Sequence, residues 1–270
     1  PSLVGSEMCI RDSPYACPTR QIDRMRPLNE WPYFRGTFAD YYYLFPNHAV
    51  FRVPDHLPDD VIAGVNCALT QVVSGLERAQ QGINETVVLQ GAGGLGMYAA
   101  GVAKARGASQ VIAIDSIPER LELAQAFGAD QTVNMQEFDT GAARVERIKD
   151  LTEGRGADVT MELVGHPGVF AEGLAMTAPG GRYVEIGNVS VGRKATFDPS
   201  TIVFKSVSVL GMAHYRWQDL NNALGFVAQN INRLPFDRVL SQPFRLTEIN
   251  RAFELQNDGL ITRSALVPGS

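Results

Sequence analysis

Cysteine is scarce in this chain, which carries three among 270 residues: Cys9, Cys17 and Cys67. Three unevenly placed thiols do not make a disulfide framework, and their scarcity points to a reducing compartment. Positive charge is not in excess either, because 24 basic residues face 29 acidic ones and the formal net charge is -5. With the two signs mixed along the chain there is no basic stripe for a nucleic-acid backbone and no polybasic patch for a membrane, so neither is an expected partner. No window approaches about 18 consecutive apolar residues, and no basic segment followed by an apolar one opens the chain. Neither a transmembrane helix nor a signal peptide is therefore indicated, and a cytoplasmic protein is expected. Internal repeats and low-complexity tracts are also missing.

What is present is apolar residue enough, 45% of the chain, to bury a sizeable core in one large domain or two smaller ones. The opening PSLVGSEMCIRDS has no turn or capping logic and resembles a translated sequencing adapter, so residues 1–13 are expected to be a non-native leader. YYYLF (41–45) reads as a half-buried strand, and PDD (58–60) as a helix start where carboxylates meet the positive end of the dipole.

From residue 86 onward, strand-like and helix-like segments alternate. TVVLQ (86–90) is apolar and β-branched, and a helical run follows from Gly94 to about Arg106, with Gly107 to terminate it. QVIAID (110–115) is the next strand; PERLELAQAFG then has Pro118 at a helix start, Glu119 in the first turn and Gly128 just past the end. QTVNM (131–135), ADVTMELVG (157–165), GRYVEIG (181–187) and SVSVLG (206–211) complete six strands, with helices near 140–151 and 168–177. Alternating β and α units with apolar strands predict an α/β fold, a doubly wound parallel sheet of Rossmann type, which binds dinucleotides at its switch point.

The glycines of QGAGGLG then acquire reasons. Gly91 makes the tight turn out of the strand, Gly93 lets the backbone approach a pyrophosphate, and Gly96 lets the next helix lie tightly on the strand. The amides that open that helix, Gly94 and Leu95, face the phosphates. Glycine-rich turns also occur with no ligand, but here an acidic residue, Asp115, ends the next strand 24 positions after Gly91. A carboxylate there accepts both hydroxyls of an adenosine ribose and repels a 2'-phosphate, so NAD is expected over NADP.

The run FADYYYLFPNHAVFRVPDHLPDDVIAGVNCALTQVVSGLERA (38–79), the segment from TVVLQGAGGLG to GADQTVN, and GGRYVEIGN together resemble the zinc-type medium-chain alcohol dehydrogenases, which include polyol and threonine dehydrogenases. The resemblance runs from about residue 30 to the C-terminus. It implies an NAD-binding Rossmann domain at 68–211 and a remnant of a GroES-like β catalytic domain at 14–67 and 212–270. It further implies hydride transfer between a secondary alcohol and NAD, a small-molecule alcohol substrate, and a homodimer or homotetramer. On matched positions, Cys67 falls at a ligand of the catalytic zinc, whose bland alternative is a small buried thiol. Arg120 matches a basic residue at the adenosine ribose. Val164, Gly165, Ile186 and Gly187 fall on the nicotinamide side, and Arg263 near an arginine that reaches the pyrophosphate.

The chain also departs from that pattern. The family's early cysteine segment, its G-H-E segment and its four-cysteine structural lobe are missing, with Cys17 at most a remnant, and position 71 is Gln where many relatives have a nearby Thr. These departures predict an N-terminally truncated protein whose parent uses zinc and which itself lacks most zinc ligands, with exposed apolar surface and poor solubility. His48, His56, His166 and His214 show no short metal-ligand spacing with Cys67. Two alternatives stay open: a zinc-independent quinone or enone reductase, and a non-catalytic fragment that holds NAD.

Overall fold

The computed structural model describes residues 27–269 except 28, 32, 35, 45–48 and 241–242. The expected leader at 1–13, Cys9, Cys17, His48 and Phe45 lie outside the described residues. Three apolar segments precede the sheet: helix α1 (Asp59–Ala63), a π-helical turn (Val65–Leu69) and helix α2 (Thr70–Arg78). Asp59 and Asp60 occupy the first turn of α1, and the Asp60 side chain accepts the N–H of Val61 at 2.8 Å, as the PDD reading expects.

Six strands follow: β1 (Thr86–Gln90), β2 (Gln110–Asp115), β3 (Gln131–Asn134), β4 (Ala157–Glu162), β5 (Thr177–Glu185) and β6 (Ser208–Gly211). They form one sheet in the order β3-β2-β1-β4-β5-β6 with every pair parallel. The direction of winding reverses between β1 and β4, so the ends of those two strands flank the switch point. The connections are helical: α3 (Gly94–Ala105), α4 (Pro118–Phe127), α5 (Gly141–Leu151), α6 (Phe170–Met176) and α7 (Ser200–Lys205).

Alternate residues of the central strands feed opposite cores. Val87, Leu89, Val111 and Ala113 join Met97, Tyr98 and Phe127 on one face. Val88, Ile112 and Ile114 join Ile148 and Met176 on the other. A strand buried on both faces has no polar side to show, which is why TVVLQ and QVIAID read as continuous apolar runs. Beyond the sheet come α8 (Trp217–Asn230), α9 (Ile249–Asn257) and a two-stranded parallel ladder of β7 (Phe244–Arg245) and β8 (Leu266–Val267).

Three strands differ from the sequence reading by two or more residues at a boundary. Strand β4 stops at Glu162 because that side chain captures the next amides. Strand β5 starts early, at Thr177, with a register shift opposite Ala157 and Val159. Strand β6 starts late because Ser206 ends α7 in the left-handed conformation, φ 52°. Residues 41–44 form no strand: Tyr41, Tyr42, Tyr43 and Leu44 are exposed, and no strand among the described residues pairs with them. The Tyr43 N–H donates to the Phe34 carbonyl at 3.0 Å, a single bond that does not extend into a ladder. No helix among the described residues is long and apolar enough to cross a membrane.

The region after the sheet is tied to it through aromatic rings. Phe236 packs edge-on to Phe127, centroids 5.6 Å apart, and against Tyr98 at 6.2 Å, while Tyr98 and Phe127 meet edge-on at 6.0 Å. Phe127→Ala is expected to cost about 3–5 kcal/mol of stability, because the cavity it leaves is walled by other rigid rings. Denaturant unfolding monitored by circular dichroism measures this; a loss under about 1 kcal/mol would show that the cluster does not anchor the segment.

Candidate functional site

Strands β2, β1, β4 and β5 are neighbours, and their C-terminal ends bring the expected site residues together. Gly91 leaves β1 with φ 98°, a conformation that L side chains rarely adopt, and donates its N–H to the Ile114 carbonyl at 2.8 Å. A Cβ on Gly96 would sit 2.0 Å from the Gly91 carbonyl oxygen, so α3 lies closer to the turn than any side chain permits. Gly93 precedes α3 and faces open space, with nothing within 4 Å of where its Cβ would be. No side chain caps α3, so its first amides, at Gly94 and Leu95, have no partner within the helix and suit an anion. The side chain of Arg263 lies directly on Gly94, where an added Cβ would come within 2.2 Å of its Nε.

Asp115 ends β2 and is buried, with its carboxylate turned toward the glycine turn. Oδ2 accepts the N–H of Ala92 at 2.8 Å, and Oδ1 accepts those of Ser116 and Ile117 at 2.8 and 3.0 Å. The residue thus holds the loop in shape, while an oxygen with one bond retains room for a further donor. Arg120 is the third residue of α4, half-buried, five residues beyond Asp115.

On the other side of β1, Val164 is half-exposed and lies against Gly91, whose Cβ position is 3.1 Å from Val164 Cγ2. Gly165 (φ 80°) and Gly187 are packed backbone to backbone. Ile186 differs from its neighbours: its side chain is buried, pointing to Gly75 of α2 and joining the main core, so only its backbone faces the strand ends.

The sequence reading passed over three polar residues that form a row at this edge. Gln90, Glu162 and Glu185 are register partners on β1, β4 and β5. Gln90 donates to the Val169 carbonyl at 3.0 Å and accepts from the Tyr183 hydroxyl at 3.2 Å. Glu162 is fully buried and accepts four backbone N–H groups. Glu185 accepts from the Asn188 amide at 2.6 Å. Burial, and after it the neighbouring Glu162 charge, push the Glu185 carboxyl up to about 7, against the Asn188 hydrogen bond, which lowers it. Burial likewise raises the Tyr183 hydroxyl, with the Glu185 and Glu162 charges adding to it. A polar residue closing an otherwise apolar strand just before a glycine, as in LQG, ELVG and EIG, was the available signal.

Cys67 sits on the π-helical turn and is exposed, which removes its reading as a buried thiol. Among the described residues no group of three or more His, Cys, Asp and Glu side chains is placed to hold a metal ion. His56 is exposed, and His166 accepts the Gly168 N–H at 3.1 Å as the cap of a short turn. His214 is half-buried at the start of the segment leading to α8. Gln71 donates to the Met212 carbonyl at 2.9 Å and so ties α2 to the end of β6.

The raised Glu185 carboxyl fixes the sign of one pH effect. Its ordinary value is 4.5, so between about 4.5 and 7 the folded chain binds a proton that the unfolded chain has released. This group's contribution to stability therefore falls as pH rises through that window. Glu185→Gln removes the dependence, and the melting temperature of the variant relative to wild type is expected to climb from pH 5 to pH 8. A difference that stays flat in thermal scans across that range would refute the assignment.

A family model described as zinc-binding dehydrogenase matches residues 94–229. Among curated relatives, 5-exo-hydroxycamphor dehydrogenase of Pseudomonas putida is 33% identical over 233 residues, covering 86% of this chain and 64% of that protein. L-threonine 3-dehydrogenase of Bacillus subtilis (strain 168) is 33% identical over 238 residues, covering 86% and 65%. Erythritol/L-threitol dehydrogenase of Mycolicibacterium smegmatis is 36% identical over 231 residues, covering 83% and 59%. The chain thus spans somewhat less than two thirds of the length of these relatives. The crystal structure of an alcohol dehydrogenase from Thermotoga maritima superposes with a TM-score of 0.89 at 28% identity, covering 97% of this chain and 72% of that one. With the parallel sheet, the glycine turn at its switch point and this match in place, the chain belongs to the zinc-binding dehydrogenase family, the zinc-type medium-chain alcohol dehydrogenases.

Proposed function

We propose that this chain binds NAD across the ends of β1, β2, β4 and β5, and that the protein it represents transfers hydride between a secondary alcohol and NAD. The observation that carries the reading is the glycine turn. Gly96 is too crowded for any side chain and Gly91 holds a φ of 98° that side chains rarely adopt, whereas Gly93, between them, faces open space at an uncapped helix start. Close packing on both sides and a vacant approach in the middle are what a pyrophosphate requires.

The remaining residues take roles in order along the cofactor. Asp115 would meet the adenosine ribose hydroxyls and, as a carboxylate, disfavour a 2'-phosphate; Arg120 lies beyond it on α4. The Gly94 and Leu95 amides, with Arg263 over them, would neutralise the pyrophosphate. Val164, Gly165 and the Ile186–Gly187 backbone would bear the nicotinamide end. Bound NAD would supply a hydride acceptor for the carbinol carbon, so that a secondary alcohol giving up that hydride and its hydroxyl proton would become a ketone. The residues described do not fit a zinc ion, since Cys67 has no partners placed to complete a site, and no step is assigned to one. The exposed edge strand β6, with Val209 on it and Val203 and Phe204 exposed on the adjoining α7, supports pairing of two copies as a homodimer or homotetramer.

Calorimetric titration with NAD and NADP tests the reading. NAD is expected to bind at least about tenfold tighter than NADP. Asp115→Asn, which keeps an oxygen for the Ala92 amide but loses the charge, narrows that ratio. Tighter binding of NADP by the wild-type chain, or no binding of either, overturns the proposal.

A further inference from the structure

The ends of β4 and β5 are joined by one side chain. Oε1 of Glu162 accepts the N–H groups of Val164 and Gly165 at 2.8 and 2.6 Å, and Oε2 accepts those of Gly187 and Asn188 at 2.8 and 3.1 Å. Its main-chain carbonyl also receives the N–H groups of Ile186 and Gly187, at 3.2 and 3.1 Å. The two loops are in direct contact: a Cβ on Gly187 would fall 2.4 Å from the Gly165 nitrogen, and one on Gly165 would fall 2.8 Å from the Gly187 oxygen. Four donors converge on the space between them, and the two carboxylate oxygens take two each.

We propose that Glu162 is a positioning residue for the cofactor: its carboxylate sets the spacing of segments 163–165 and 186–188 and thereby the surface that bears the nicotinamide end. The inference rests on the NAD reading above. The adenosine half is held elsewhere, at Gly91–Gly96 and Asp115, so the two halves of the cofactor respond to Glu162 separately. Glutamine has the shape of glutamate but one acceptor oxygen. When that oxygen serves the amides of one loop, its NH2 group faces the two N–H donors of the other, and the clamp opens on one side.

The experiment compares wild type, Glu162→Gln and Glu162→Asp by titration with NAD and with ADP-ribose, which lacks the nicotinamide ring, alongside hydrogen exchange read by mass spectrometry. Glu162→Gln is expected to weaken NAD at least about tenfold while ADP-ribose stays within about twofold. Amide exchange rises in 163–165 and 186–188 and not around Gly91. Glu162→Asp keeps both acceptor oxygens and recovers part of the loss. Equal weakening of both ligands, unchanged NAD affinity, or exchange that rises throughout the sheet would overturn the positioning role and make Glu162 a residue of general stability. Should wild type bind neither ligand, the cofactor reading itself falls, and this inference with it.

Discussion

The approach of Gly96 to the Gly91 carbonyl is the constraint around which the site is organised. A methyl group at Gly96 would stand 2.0 Å from that oxygen, so the helix can reach this depth only with glycine there. Because α3 starts so close to the strand, its first amides open onto the C-terminal edge of the sheet and not onto solvent beside it. The neighbouring strand supplies the other half of the constraint. Asp115, carried by β2 in register with β1, accepts the Ala92 N–H and stops the turn from opening. Helix, turn and adjacent strand end are therefore tied together as one unit.

This object was legible in the sequence because its parts are local. Glycines at 91, 93 and 96 between an apolar run and a helical one, with an acid closing the next run, require no knowledge of which strands are neighbours. The six strands were legible for the same reason, since strands buried on both faces have to be apolar throughout. Interactions that depend on register were not legible. Glu162 and Glu185 are 23 residues apart in sequence, and nothing local says that β4 and β5 place them side by side. Ile186 falls at a strand end in the sequence, and only the pleat shows that its side chain turns to Gly75 and the core. YYYLF failed in the opposite sense: its residues suit a strand, but no strand among the described residues pairs with 41–44, and Tyr41, Tyr42, Tyr43 and Leu44 stay exposed.

The carboxylates at the strand ends share a mode of action. Asp115 and Glu162 both spend their oxygens on backbone N–H groups of loops that leave the sheet, three for Asp115 and four for Glu162. In a parallel sheet the loops at the C-terminal edge begin where ladder bonding stops, so their first amides lack strand partners. An acid at the last strand position supplies acceptors at that point. It shapes the loop without adding a residue to it, and leaves the outer surface of the loop free for other contacts.

The cost of such a device is a buried negative charge, and its terms can be compared. Removing a carboxylate from water costs several kcal/mol even after the surroundings relax. Hydrogen bonds to a charged group return about 1.5–3 kcal/mol each, so four of them offset that cost for Glu162. No arginine or lysine among the described residues pairs with it. Glu185, one strand over, has a single amide donor from Asn188 and the Glu162 charge beside it, so the same burial drives it toward the protonated form. Two acids in adjacent register positions therefore do different work: Glu162 reaches four backbone N–H groups and joins two loops, whereas Glu185 reaches one side-chain amide and joins none.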